Sequence, residues 1–391
     1  MTSFTPVFRN FCLLVQITRH HHRTYFTYEI SFQFFLLGSR SSENIPVIIF
    51  SPRQSSTMAT DARAITDSFW IVKVGLILLS SLDLVYGSSS PVIGVMTQPI
   101  PGDTSTYIAA SYIKWIEAGG ARSIPIPYDA PAEMVEDLFS QVNGVLFTGG
   151  GSDLSQSAVD VWRLANQANQ NDEDFFPIWA TCLGFEWLLE LASGNTSILE
   201  SDFRAENISL PLLRVDRYKL YQNEGLYRNV QKNNITMNNH HQGISPQTFL
   251  DTPALTKLWK ITSVNRDVQG KPFVSTMEPV NPQKFPVYGV QYHPEKNAFE
   301  YATFPHTNIP YEAIDHSPQG ISMSLELSSF FVDLARTNQI NGKHEYNKTD
   351  TYPLVYSYPM KRGVKFEQTF MIPRTSELSE TMPETSRRRL R

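Results

Sequence analysis

From residue 91 the chain alternates short apolar runs with stretches of helical periodicity, and that alternation narrows the folds open to it more than any other feature. Val92-Ile93-Gly94-Val95-Met96 reads as a buried strand, as do Ile124 to Ile126, Val145-Leu146-Phe147, Ile178-Trp179-Ala180 and Val287 to Tyr292. Between them, Ile108, Tyr112, Trp115 and Ile116 recur at helical spacing, with Ser105 as an N-cap and Gly119-Gly120 as the stop. Ala132 to Phe139, Val159 to Asn169, Phe185 to Ala192 and Gln319 to Thr337 continue the helical series. Asn143-Gly144 marks the turn into the third run. Strands alternating with helices at this spacing predict an α/β fold of three layers around a doubly wound, mostly parallel sheet. Ligands of such sheets bind beyond the C-terminal ends of the strands. Residues 200 to 285 give only several short strands and turns, and no internal repeat is visible.

Composition excludes several classes. Hydrophobic residues make up 41% of the 391 and charged residues 18%, an ordinary globular balance. The net charge of −5 argues against a nucleic-acid partner. Two cysteines are too few for a disulfide scaffold or a four-thiolate zinc site. No apolar run reaches the roughly 20 residues of a membrane span.

The N-terminal region reads differently. Residues 1–57 show no lasting period; they include His20-His21-His22 and a Ser-rich end. Residues 69–79, FWIVKVGLILL, have the length of a signal-peptide apolar region, although Lys73 interrupts them. Val85 and Gly87 supply small side chains at the −3 and −1 positions of a cleavage site. Translation from Met58 would make residues 58–87 a secretory signal, with 1–57 a non-native extension or else a disordered one, and 88–372 the catalytic domain. Residues 373–391 are polar, end in Arg387-Arg388-Arg389-Leu390-Arg391, and read as a solvated tail. Sequons at Asn195, Asn207, Asn234 and Asn347 fit an endomembrane or extracellular protein. Cys182 would then stand alone in the mature chain, as a buried inert thiol or a working one.

Three segments carry chemistry. In Thr181-Cys182-Leu183-Gly184-Phe185-Glu186 the thiol stands at a strand-to-helix turn, where the helix N-terminus favours the thiolate. In Tyr288 to Glu295, His293 at a strand end can take a thiol proton and protonate a leaving amine. Glu295 can orient the imidazole if the chain stays extended, as Pro294 favours. Gly149, Gly150 and Gly151 follow Phe147-Thr148, and their backbone amides, with that of Leu183, can form an oxyanion hole. Taken singly, these segments also read as a core cysteine, a surface turn and a glycine turn.

Together, in this order, they resemble the class I glutamine amidotransferase-like hydrolases and, in detail, the γ-glutamyl hydrolase (folate conjugase) family. The similarity runs through PVIGVMTQP (91–99), YIKWIEAGGARSIPIPY (112–128), NGVLFTGG (143–150), TCLGFE (181–186) and YGVQYHPEKNAFEY (288–301), covering roughly residues 91–372. It implies Cys182 as nucleophile, His293 as general acid and base, and Glu295 as its support. It places Glu186 near the substrate, and a further histidine in Asn239-His240-His241, with His241 expected and His240 the alternative. Where the family has glycine two residues before the nucleophile, this chain has Ala180. The implied substrate is a folylpoly-γ-glutamate, with neither metal nor organic cofactor, in a lysosome, vacuole or outside the cell. A homodimer is a further expectation. The rival readings are a glutamine amidotransferase or glutaminase, and a catalytically silent secreted binding protein on the same fold.

If translation starts at Met58 and the signal is removed, N-terminal sequencing of the native protein will begin near residue 88. A peptide from residues 1–57 in the native protein overturns that expectation.

Overall fold

The computed structural model describes residues 90–170, 174–363 and 365–375, together with the backbone of strands between residues 2 and 36. The expected signal, residues 58–87, and residues 376–391 of the expected tail lie outside the described residues. Contacts divide the chain into two units, Met1–Gly87 and Ser88–Arg391.

In the first unit, Phe11–His22 pairs antiparallel with Tyr25–Leu36, in register from Phe11↔Leu36 to His22↔Tyr25. This departs from the reading of residues 1–57 as lacking a strand period. The pairing partners lie close in sequence, and β-branched and aromatic residues suit strands without strict alternation.

The second unit is built on a seven-stranded sheet. Its strands are β1 (Val92–Met96), β2 (Arg122–Ile126), β3 (Val145–Phe147), β4 (Ile178–Thr181), β5 (Trp259–Arg266), β6 (Pro272–Pro279) and β7 (Val287–Val290), in the order β5-β6-β7-β4-β3-β1-β2. The five strands from β7 to β2 are parallel; β5 and β6 form an antiparallel edge. The expected mostly parallel, doubly wound sheet is therefore present.

Strand alternation feeds two cores. Ile178, Ala180 and Val287 face one, while Trp179, Tyr288 and Val290 face the other. The first core is closed by α2 (Ala132–Phe139), α3 (Gln156–Gln170) and α4 (Leu183–Ser193) through residues such as Leu138, Val161 and Leu188. The second is closed by α1 (Ala110–Ala118) and α6 (Pro318–Asn341) through Ile113, Trp115, Leu327 and Phe331; α5 is the short helix Lys296–Phe299 described below. Ser317 caps α6, its hydroxyl accepting from the Gly320 N–H, and Gly342 ends it in the left-handed conformation.

One boundary differs from expectation. Ser105 does not cap a helix: Ser105–Ala109 is a strand, and α1 starts at Ala110. Its partner is Thr369–Pro373, paired from Ile108↔Phe370 to Ser105↔Pro373. A contact spanning more than two hundred residues overrides the local helical period. Ordered chain continues past residue 372, since the Thr375 hydroxyl donates to the Asp129 backbone carbonyl at 3.0 Å.

The tightest point of the sheet lies under α4. A Cβ on Gly184 would stand 2.3 Å from the Phe147 carbonyl oxygen, so only glycine lets α4 start this close to β3. Gly184→Ala should cost about 2–3 kcal/mol in urea unfolding, as overpacking against backbone does. Unchanged stability would show that the two elements can separate.

Candidate active site

β4 ends at Thr181, and Cys182 takes φ +51° and ψ −109° before α4 begins. This is a strained conformation for a side chain with a Cβ. Two hydrogen bonds hold it. The Cys182 N–H donates to the Val290 carbonyl of β7 at 2.9 Å, and its carbonyl accepts from the Glu186 N–H at 3.0 Å. The sulfur is thereby presented at the helix N-terminus, where the Leu183 N–H favours the thiolate. Burial nevertheless pushes the Cys182 thiol well up, and the Glu186 and Glu295 carboxylates add to this, against the pull of Lys296 and the Leu183 amide. The resting thiol is protonated at neutral pH and needs a base at the moment of attack.

The candidate for that base, His293, enters from the end of β7. His293 is anchored by its N–H, which donates to the Met237 carbonyl at 2.8 Å. Its Nδ1 lies 2.8 Å from Glu295 Oε1 and 3.4 Å from the Tyr112 hydroxyl. The carboxylate assigns the proton to Nδ1 and leaves Nε2 as the acceptor in the neutral ring. The expected extended His-Pro-Glu segment is not what makes this contact. Glu295 is helical, at φ −68° and ψ −21°, and caps α5 (Lys296–Phe299), so a turn folds the carboxylate back onto the ring.

Gly149 is where these parts meet. A Cβ there would lie 2.7 Å from His293 Cε1, 2.7 Å from the Tyr112 hydroxyl and 3.4 Å from Cys182 Cβ. Its N–H does not face an empty hole, because it donates to Tyr112 Oη at 2.8 Å. Gly149 thus supplies space, and Gly150 and Leu183 remain as amide donors. Gly150 packs on Gln98, whose Oε1 would be 2.4 Å from a Cβ. The Ala180 methyl joins the apolar core on the α4 side of the sheet.

The two remaining expected residues divide. Glu186 is buried and accepts from Gln291 Nε2 at 2.9 Å. Burial raises its carboxyl to about 7, Glu190 adds to this, and the Gln291 hydrogen bond opposes it. His241, the expected histidine, is exposed, whereas its alternative His240 is buried. Along the strand Thr236–His240, alternation turns His240 inward, 4.8 Å edge-on to the Phe273 ring. Its Nδ1 donates to the Gln242 carbonyl at 2.7 Å, and its buried Nε2 has no partner. Burial lowers His240 to about 4, and His293 lies close enough to lower it further.

Sequence reasoning passed over Tyr112, assigned to a helical apolar face, and Gln291 and Lys296, both inside the quoted 288–301 motif. Lys296 is 3% exposed and its ammonium contacts both Glu312 oxygens, at 2.6 and 2.7 Å.

The sequence profile of the peptidase C26 family matches residues 91–295, more than half of the chain. The chain belongs to the peptidase C26 family. Among curated members, γ-glutamyl hydrolase B of Dictyostelium discoideum is 33% identical over 302 residues, 72% of this chain and 82% of its own length. γ-Glutamyl hydrolase 1 of Arabidopsis thaliana is 37% identical, over 63% of this chain and 72% of its own. The Rattus norvegicus γ-glutamyl hydrolase is 32% identical over 73% and 90%. In this C26 peptidase the match ends on Glu295, the last member of the His-Pro-Glu turn.

Burial also sets a pH dependence. Burial raises Glu186, Glu278 and Glu300 each to about 7. The folded chain therefore holds three protons that the unfolded chain releases near pH 4.3. Folding is favoured below that pH and loses stability as pH rises through 7. His240, lowered to about 4, works in the opposite sense between its ordinary value and 4, offsetting one group. Urea unfolding should give a stability at pH 5.5 more than about 1 kcal/mol above that at pH 8, with Glu300→Gln narrowing the gap. Equal stability at the two pH values would sink the assignment.

Proposed function

We propose that this chain hydrolyses γ-glutamyl isopeptide bonds, with folylpoly-γ-glutamates as substrates, through Cys182, His293 and Glu295. The observation that carries the reading is the convergence on Gly149: the elbow cysteine and the Glu295-bound histidine approach one point, where a side chain would not fit. Peptidase C26 membership and the names of the relatives supply the reaction class.

The proposed cycle runs as a thiol hydrolysis through an acyl-enzyme. As the Cys182 sulfur attacks the isopeptide carbonyl, His293 Nε2 takes the thiol proton, so the buried sulfur need not ionise alone. Glu295 stabilises the imidazolium that results. The Gly150 and Leu183 amides receive the oxyanion. His293 then protonates the departing glutamate amine, which leaves an acyl-enzyme. A water that gives its proton to His293 releases the acyl group and restores the thiol. The chain's own groups supply each proton step.

Exposed Asn195, Asn207, Asn234 and Asn347 suit glycan acceptors, and the signal-like segment supports the same route. We place the protein in the secretory pathway, ending in a lysosome, a vacuole or outside the cell. Among the described residues no helix is long and apolar enough to cross a membrane. A homodimer remains part of the proposal.

Incubating the full chain with pteroylpentaglutamate, at mildly acidic and neutral pH, should release shortened folates. Cys182→Ala should lower the rate by about a thousandfold or more. No release by folded wild-type protein refutes the reading, and ammonia from free glutamine instead would mark a glutaminase.

A further inference from the structure

Resting on the cysteine-hydrolase reading above, we propose that the buried Lys296–Glu312 ion pair is a positioning element that biases Cys182 and His293 toward the thiolate–imidazolium pair. Lys296 begins α5, directly after the His293-Pro294-Glu295 turn, and its N–H donates to the His293 carbonyl at 3.4 Å. Its side chain is 4% exposed and that of Glu312 6%. Both Glu312 oxygens bind the ammonium, and Asn239 Nδ2 donates to Oε1 at 2.6 Å. Asn239 in turn precedes His240, so the pair is tied to both histidine segments.

Each end of the pair acts electrostatically on one partner of the proposed proton transfer. Lys296 is the cation whose charge favours the Cys182 thiolate. Glu312 is the anion that interacts favourably with a charged His293. A cation that acts on the sulfur and an anion that acts on the imidazole lower the energy of moving one proton from Cys182 to His293. Taking two such charges out of water is costly, and a buried pair often gives no net stability over apolar residues. Its place beside the catalytic proton gives that cost a use.

The other charges around the two groups define the background. Cys182 also faces Glu186 on α4 and Glu295 in the histidine turn, with Tyr112 of α1 beside it. His293 faces Glu295, Tyr112 and His240. Lys296 further faces Glu300, and its ammonium lies 5.9 Å from the Phe366 ring centroid. Glu186 and Glu295 oppose the thiolate, so Lys296 is the side-chain charge that offsets them at the sulfur.

The test is the pH dependence of Cys182 alkylation by iodoacetamide, followed by mass spectrometry on the full chain, with near-UV circular dichroism reporting the fold. The midpoint of the rate profile reads the thiolate without a substrate, so it stands apart from whether folates are cleaved. Removing the cation in Lys296→Met should raise the midpoint by at least about one pH unit, a tenfold smaller thiolate fraction below it. Lys296→Met/Glu312→Gln removes both charges, leaves no unpaired buried ion, and should show a smaller rise in the same direction. Lys296→Arg keeps the charge and should stay within about threefold of the wild-type rate at pH 7. A natively folded double variant with the wild-type midpoint would show that the pair only clamps the loop. A tenfold loss in folded Lys296→Arg would equally overturn an electrostatic role.

Discussion

Cys182 can hold a left-handed backbone only because two neighbouring strands are fixed around it. Such a conformation costs on the order of 1–3 kcal/mol and persists where the surroundings over-determine it. Here the N–H is tied to Val290 of β7 and the carbonyl to the first turn of α4, while Gly184 rests on the Phe147 carbonyl of β3. Three parallel strands thus act on one residue. The parallel register of β3, β4 and β7 is what aligns their C-terminal ends, and those ends carry Gly149, Cys182 and His293. The site exists because the sheet is parallel and closed on both faces by the two cores.

Burial around this point has opposite effects on its parts. It pushes the Cys182 thiol up, raises Glu186 and lowers His240, in each case favouring the uncharged form. Glu312 is held in its charged form by Lys296, while Glu295 bonds the imidazole. The same burial strengthens each remaining interaction, since none competes fully with water.

Much of this was legible in the sequence, and what was hidden has a common cause. The strand Val145–Phe147 and the helix Ala132–Phe139 follow directly from local period and turn residues. Cys182 and His293 announce themselves because each closes an apolar run. Ser105 misled because Thr369–Pro373 pairs with its strand from the far end of the chain. His241 and His240 are neighbours with identical chemistry, and only the pairing of Thr236–His240 with Ala205–Leu210 sets which one turns inward. Tyr112 looked like core and is core, but its hydroxyl reaches Gly149 and His293. Lysine after the His293-Pro294-Glu295 turn reads as solvated surface until Glu312, sixteen residues on, is seen folded against it.

The site therefore has two halves of different origin. The nucleophile half is local: a strand, a forced turn and a helix within Ile178–Ser193, written in one contiguous segment. The proton-handling half is assembled from α1, the strand Thr236–His240, the His293 turn and the loop that carries Glu312, none of which can place its group alone. Local turn chemistry is robust to changes elsewhere, whereas an assembled charge arrangement depends on every segment that contributes to it. Burial, Glu186 and the Leu183 amide act on the thiol from the first half, and Lys296 and Glu295 from the second. A substitution far from Cys182 in sequence can thus change the charges around the thiol without moving it.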